Sequence, residues 1–326
     1  MEYPIRDTIN NIYNADEASL NFIEEWQNDN DYIVALTSGS TGTPKPIKLL
    51  KNDMRTSALA TCKFFNITNS STLVSPLSSN YIAGKMMIVR AIVSGAKLYI
   101  EKPSNQPLNK DYGKIDLLPV TPSQVEWLIT KSKYTDTINN LLIGGGSLSF
   151  EYEQGLINKN INAFVSYGMT ETCSHIAIRK IGQKTYKTIP SITISTDNRG
   201  CLIINSPKFS FKKITTNDIV EFIDTTHFKW IGRYDNIINS GGIKINPEII
   251  EQKLSPIIPY PFYIIGEKDI KWGEIITLYI ETTTIDIDDI LRQAKIVLER
   301  YYIPKKIKCV ANFKRTESGK IKRMCL

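Results

Sequence analysis

Residues 37–45, TSGSTGTPK, put two glycines, three threonines and two serines into one short stretch that ends in a lysine. Glycines let backbone amides approach phosphate oxygens, hydroxyls donate further bonds and the lysine adds a mobile positive charge. This is phosphate-binding chemistry in outline. It is not the Walker pattern, because GxxxxGK[ST] is absent and Pro44 precedes Lys45. Such composition more often marks a plain surface turn, but the apolar run YIVAL just before it and the closing Pro-Lys favour a functional loop.

Three further segments carry groups of the same kind. SYGMTETCSH (166–175) sets an aromatic ring, hydroxyls and a carboxylate close together. A tyrosine can flank a purine, a threonine can bond a phosphate and a glutamate can hold Mg2+ through oxygen. In TTNDIVEF (215–222), Asp218 stands at the expected start of a strand, where a carboxylate can accept from both ribose hydroxyls, and Arg233 follows with a fork of donors. KRTESGKIKR (314–323) places Lys320 after Gly319 near the C-terminus, suited to stabilising charge at phosphorus. Each has a plainer alternative: a surface or capping acid for Glu171, an Asx-turn for Asp218, a surface ion pair for Arg233 and a basic tail for Lys320. Their joint presence gives them weight.

These loops need elements to hold them. Short apolar runs at YIVAL (32–36), STLVS (71–75), AKLYI (96–100) and NNLLIGGG (139–146) alternate with helical patterns at MMIVRAIVSG (86–95) and TPSQVEWLITKS (121–132). That alternation predicts an α/β fold. Thr121 and Pro122 read as N-cap and first turn of the second helix. From Ile192 to Trp230 the alternating runs predict antiparallel strands. After Gly232 come a Gly-Gly turn, a helix starting at Asn246 or Pro247, strands at PFYIIGE and IITLYIETT and a helix at IDDILRQAKIVLERY. The expected plan is a large α/β N-terminal domain, residues 1–234, with an additional antiparallel β region, and a small mobile α+β C-terminal domain, residues 235–326.

The 326 residues are 42% hydrophobic and 22% charged, enough for two domains. A formal charge of +7 and a pI near 8.9 favour anionic partners, but no basic run suits nucleic acid. Five scattered cysteines without a CxxC pair fit a reducing compartment, and neither a signal peptide nor a bilayer-spanning stretch is visible. The expectation is a cytoplasmic protein without membrane insertion. Nothing in the sequence indicates its oligomeric state.

In order and wording, TSGSTGTPK, YGMTET, GRYDNIINSGGIKINPEIIE and RTESGKIKR resemble the signature motifs of the adenylate-forming superfamily of acyl-CoA synthetases, peptide-synthetase adenylation domains and luciferases. Within it, YGMTETCSHIAIR and the compact length are most similar to the o-succinylbenzoate-CoA ligases of menaquinone synthesis. The resemblance implies ATP, Mg2+ and CoA as ligands and a small carboxylic acid as substrate. It assigns Thr37, Ser38, Gly39, Ser40, Thr41, Gly42 and Lys45 to the ATP phosphates. Gly144, Gly145 and Gly146 would lie against adenine, with Tyr167, Gly168 and Met169 beside them. Thr170 and Glu171 would take the α-phosphate and Mg2+, Asp218 the ribose, Arg233 the nucleotide and Lys320 the catalysis of adenylation.

Asp235 matches the hinge, and Gly241, Gly242 and Lys244 would face CoA. Asn80 and Tyr81 stand before Gly84 where many relatives carry an aromatic-His pair, which leaves the acyl pocket open. Ser174 and His175 either face the substrate or, for the histidine, pack structurally. Only 36 residues precede Thr37, far fewer than most of the family carries, so the resemblance implies an N-terminal subdomain that is missing or reduced. Other readings are a ligase for another aromatic or short acid, a module that loads a carrier protein, and a nucleotide-binding regulator without turnover.

Overall fold

The computed structural model describes residues 9–36, 45–284, 286–315 and 321–325. They fall into two compact units: Met1–Leu148, Tyr152–Thr193 and Asn205–Lys213 in the first, and Ser149–Glu151, Ile194–Ile204 and Ile214–Leu326 in the second. No helix of the described residues is long and apolar enough to cross a membrane.

The first unit opens with β1 (Ile12–Tyr13) and α1 (Glu17–Gln27). Asp16 caps α1 by accepting from the Ser19 amide at 2.9 Å, and Phe22, Ile23 and Trp26 form its buried face. Next come β2 (Tyr32–Leu36) and β3 (Pro46–Leu50), paired antiparallel from Tyr32↔Leu50 to Leu36↔Pro46. Residues 37–45 therefore join the arms of a hairpin, whereas a Walker loop joins a strand to a helix. After α2 (Lys51–Phe65), β4 (Thr72–Ser75), α3 (Ile82–Ser94) and β5 (Lys97–Ile100) form a parallel crossover, and β1 lies on the far side of β5. The helix expected at 86–95 begins four residues earlier. Its N-cap, Tyr81, makes no side-chain capping bond, so the sequence carries no start signal there.

A second parallel run follows: β6 (Leu118–Val120), α4 (Pro122–Thr130), β7 (Leu141–Ile143), α5 (Phe150–Asn158) and β8 (Ala163–Gly168). Thr121 and Gln124 form a capping box at α4 with Pro122 in its first turn, as the sequence predicts. β6 and β7 are buried at every position, the mark of strands covered on both faces, and Val125, Leu128 and Leu156 pack into the same core. The chain then reverses into β9 (His175–Lys180), antiparallel to β8, and β10 (Thr185–Thr188), antiparallel to β9. In the sheet that holds β6, β7 and β8, antiparallel pairing thus starts at His175 and not at Ile192, because only six residues separate β8 from β9, too few for a crossover helix.

The second unit carries β11 (Thr193–Thr196), β12 (Cys201–Asn205), β13 (Lys213–Asp224) and β14 (His227–Arg233), neighbours in that order. Beyond them lie β15 (Ile238–Ser240), β16 (Ile243–Ile245), α6 (Pro247–Leu254), β17 (Phe262–Asp269), β18 (Gly273–Glu281), α7 (Ile287–Val297) and β19 (Lys306–Val310). The sheet order is β16-β15-β18-β17, with β19 parallel to β18. Ile250 and Leu254 of α6 and Ile290 and Ala294 of α7 bury against Ile264, Ile276, Leu278 and Ile280 of the sheet. Asn246 accepts from the Glu248 amide at 3.0 Å and Pro247 opens α6, where the sequence places the helix start. The α/β plan, the added antiparallel strands and the small α+β part are the expected classes.

Candidate active site

The register Ile143↔Val165 ends β7 and β8 side by side, so Gly144–Gly146 emerges next to Ser166–Gly168. A Cβ on Gly144 would stand 2.6 Å from the Ser166 hydroxyl, which donates to the Ile143 carbonyl at 3.1 Å. Gly145 has φ of 86° with open space where a side chain would be, leaving a bare backbone surface at the strand end. Ligands of open α/β sheets bind beyond these carboxyl ends.

The turn after β8 is locked from within. Thr172, buried, accepts from the Met169 amide at 3.0 Å, and its hydroxyl lies 2.7 Å from the Ser174 carbonyl. Gly168 lies so close to the returning strand that a Cβ would come within 2.3 Å of the Ser174 carbonyl oxygen and 2.5 Å of the His175 Cα. Thr170 is buried on the one-turn 3-10 helix Thr170–Thr172. Glu171 points outward and makes no hydrogen bond or ion pair among the described residues. A free carboxylate beside a strand-end loop fits a hard cation such as Mg2+.

Arg90 of α3, not singled out in the sequence, adds a charge to this wall. It is 2% exposed, donates through one terminal nitrogen to the Ser174 hydroxyl at 2.8 Å and through the other toward the Met87 sulfur at 3.4 Å, and its Nε has no partner. No carboxylate among the described residues pairs with it. Burial pulls its pKa down to about 10. Next in the row, Ser174 meets His175 Nδ1 at 3.3 Å, and His175 Nε2 meets the Thr61 hydroxyl at 3.2 Å. Burial, then the Arg90 charge, pushes His175 down to about 3, so the ring is neutral at pH 7 and bonded through both nitrogens. The packed reading of His175 is the one its surroundings favour. The sequence signal for Arg90 was a lone cation inside MMIVRAIV, an otherwise apolar run. Burial raises the Cys62 and Cys173 thiols to about 11 and about 12, so neither is a nucleophile.

In the second unit, Asp218 lies in the middle of β13 and not at its start. The antiparallel register pairs it with Arg233, the last residue of β14. Asp218 is 6% exposed, accepts from Trp230 Nε1 at 3.1 Å and lies 3.7 Å from Arg233. Arg233 also donates to Asp235 at 2.8 Å, and Asn217 donates to the same carboxylate at 3.1 Å. The sequence pointed to Asp218, Arg233 and Asp235 separately; the hairpin joins them. Gly241 and Gly242, with φ of 59° and 82°, form the tight turn between β15 and β16 that the Gly-Gly pair predicts. Lys244 is exposed on β16. In the first unit, Asn80 is exposed, Tyr81 half-buried, and Gly84 lies within α3, where a Cβ would meet the Ser78 carbonyl at 2.3 Å. Lys45 is exposed just before β3. Thr37, Ser38, Gly39, Ser40, Thr41, Gly42 and Lys320 lie outside the described residues.

The first unit thus has the plan of an α/β enzyme that takes its ligand beyond the strand ends. The AMP-binding enzyme family matches residues 6–208. An acyl-CoA synthetase (AMP-forming)/AMP-acid ligase II-like protein from Dyadobacter fermentans is 30% identical, with 94% of this chain and 91% of that one covered and a TM-score of 0.63. A 2-succinylbenzoate–CoA ligase from Listeria monocytogenes is 26% identical over 92% of this chain and 70% of its own length. An o-succinylbenzoate CoA synthetase from Bacillus subtilis, solved with its acyl-adenylate intermediate, shares the fold at a TM-score of 0.78 and 21% identity, covering 89% of this chain and 67% of that one. The chain belongs to the AMP-binding enzyme family and is an adenylate-forming ligase.

Proposed function

We propose that the chain joins 2-succinylbenzoate to CoA at the expense of ATP. One substrate carboxylate attacks the α-phosphorus, the bond to pyrophosphate breaks, and the CoA thiol then attacks the acyl carbon and releases AMP. The substrate is its own nucleophile, so the protein positions groups and stabilises charge. Residues 37–45 would hold the phosphates, Gly144–Gly146 and Tyr167 the base, Thr170 the α-phosphate, and Asp218 and Arg233 the ribose side. Glu171 would carry Mg2+, which when bound offsets phosphate charge. Lys320 would stabilise the charge developing at phosphorus, and Asp235 would be the pivot at which residues 235–326 turn between the two half-reactions, presenting Gly241–Lys244 to CoA.

The observation that favours this acid is Arg90. A buried guanidinium without a carboxylate is costly, and it gains a partner if the substrate brings one. 2-Succinylbenzoate has two carboxylates. One becomes the adenylate, and the other would meet Arg90 and Ser174 near the phosphate-side turn. The names of the Listeria and Bacillus relatives point to the same acid.

The test is pyrophosphate release across a panel of mono- and dicarboxylic aromatic acids, followed by assay for the CoA thioester. Release and thioester with 2-succinylbenzoate, but not with benzoate, are expected. Release without thioester would indicate a carrier-protein acceptor, and ATP binding without release for any acid would indicate a regulator.

A further inference from the structure

Tyr167 does not stand alone at the strand ends. The Tyr186 ring of β10 packs against it at a centroid separation of 6.0 Å and an interplanar angle of 65°, an edge-to-face contact. Tyr186 is itself tethered. The antiparallel register that pairs Lys187 with Ile178 sets it beside Arg179 of β9, whose guanidinium lies over the Tyr186 ring, 5.7 Å from its centre. Arg179 is fixed in turn by a two-pronged bond to Glu153 of α5, at 2.8 and 3.0 Å, and by the Gln183 carbonyl at 2.8 Å. Glu153 also accepts from the Gly182 amide at 2.7 Å. Arg179 and Glu153 are both largely shielded, with side chains 13% and 16% exposed, so the pair is a rigid anchor and not a loose surface bridge. The chain of contacts runs from helix to strand to ring and ends on Tyr167.

We infer that Tyr186 is a positioning residue for the nucleotide base: held by Arg179 and Glu153, it fixes the orientation of the Tyr167 ring and so sets ATP affinity while leaving the chemical step alone. The inference rests on the proposed role of Tyr167 at adenine. A ring packed on a fixed neighbour loses little freedom when a base stacks beside it, whereas an unsupported ring must be ordered at the expense of binding. Support of this kind acts equally on ground and transition states, so it appears in KM for ATP and not in kcat.

The experiment measures pyrophosphate release against ATP concentration at saturating acid, with ATP Kd by calorimetry, for the full chain and for Tyr167→Ala, Tyr186→Leu, Arg179→Gln and the Tyr167→Ala/Tyr186→Leu double variant. Tyr186→Leu is expected to raise KM and Kd for ATP roughly fivefold, the scale of one aromatic contact, with kcat and acid KM unchanged. The double variant should bind ATP no worse than Tyr167→Ala, because Tyr186 acts through that ring. An unchanged ATP Kd in Tyr186→Leu, or effects that multiply in the double variant, overturns the inference while Tyr167→Ala alone still weakens ATP. If Tyr167→Ala leaves ATP binding intact, the adenine assignment itself has failed and the inference falls with it. Should Tyr186→Leu not fold, Arg179→Gln carries the test: without the guanidinium over it, the Tyr186 ring should hold Tyr167 less firmly and ATP Kd should still rise measurably, and a wild-type Kd would refute the tether.

Discussion

Arg90→Met should make the protein more stable and a poorer enzyme at once. Methionine keeps most of the stem volume and removes the charge. Burial lowers the arginine pKa from 12.5 to about 10, and at 1.36 kcal/mol per pH unit the charged form is held at a cost of about 3 kcal/mol. The bond to Ser174 at 2.8 Å, one charge-assisted bond of about 1.5–3 kcal/mol, returns about half of this, and Ser174 keeps His175 as a neighbour after the change. A net gain of about 1 kcal/mol is expected, read as a rise of about 2–4 °C in the melting temperature. Activity should move the other way. Losing the counter-charge of a buried carboxylate costs about 2–5 kcal/mol, so kcat/KM for 2-succinylbenzoate should fall roughly a hundredfold while benzoate analogues without the second carboxylate change little. Calorimetric melting and acid-dependent pyrophosphate release measure the two arms. A destabilised variant would mean that the contacts to Ser174 and Met87 outweigh the cost of burial. A stabilised variant with unchanged acid kinetics would remove Arg90 from the substrate site.

Three further outcomes are expected. Lys320→Ala should slow adenylation sharply while thioester formation from supplied acyl-adenylate largely survives; equal loss in both half-reactions would count against the assigned role. In Gly168→Ala the new methyl would sit 2.3 Å from the Ser174 carbonyl oxygen just before β9, so the β8–β9 turn must shift, at about 1–3 kcal/mol, and a melting temperature within a degree of wild type would contradict that close approach. His175 has a folded pKa of about 3 against an ordinary 6.5, so between these values the unfolded chain binds the extra proton and acid destabilises the fold. Stability should therefore be undiminished by this group above pH 6.5 and fall by about 1.4 kcal/mol per pH unit below it. His175→Gln should flatten that limb, and parallel urea midpoints for the two proteins from pH 7.5 to 5 would show that the ring is not buried neutral.

Local chemistry was readable in the sequence because it needs only neighbours along the chain. Thr121, Pro122 and Gln124 specify their own capping box, Asn246 and Pro247 open a helix, and Gly241-Gly242 selects a tight hairpin turn. The wording of the four motifs carried the family in the same way. What the sequence could not hold is everything that depends on register and enclosure. YIVAL has the composition of a parallel core strand but pairs antiparallel with PIKLL, since nothing local distinguishes the two. Asp218 and Arg233 become partners through the hairpin between β13 and β14, and Asp235 joins them through Arg233 and Asn217. Arg90 acquires meaning only when the fold withdraws water from it and sets it against Ser174, for a charge in an apolar helix is unremarkable until the tertiary structure decides which side is dry.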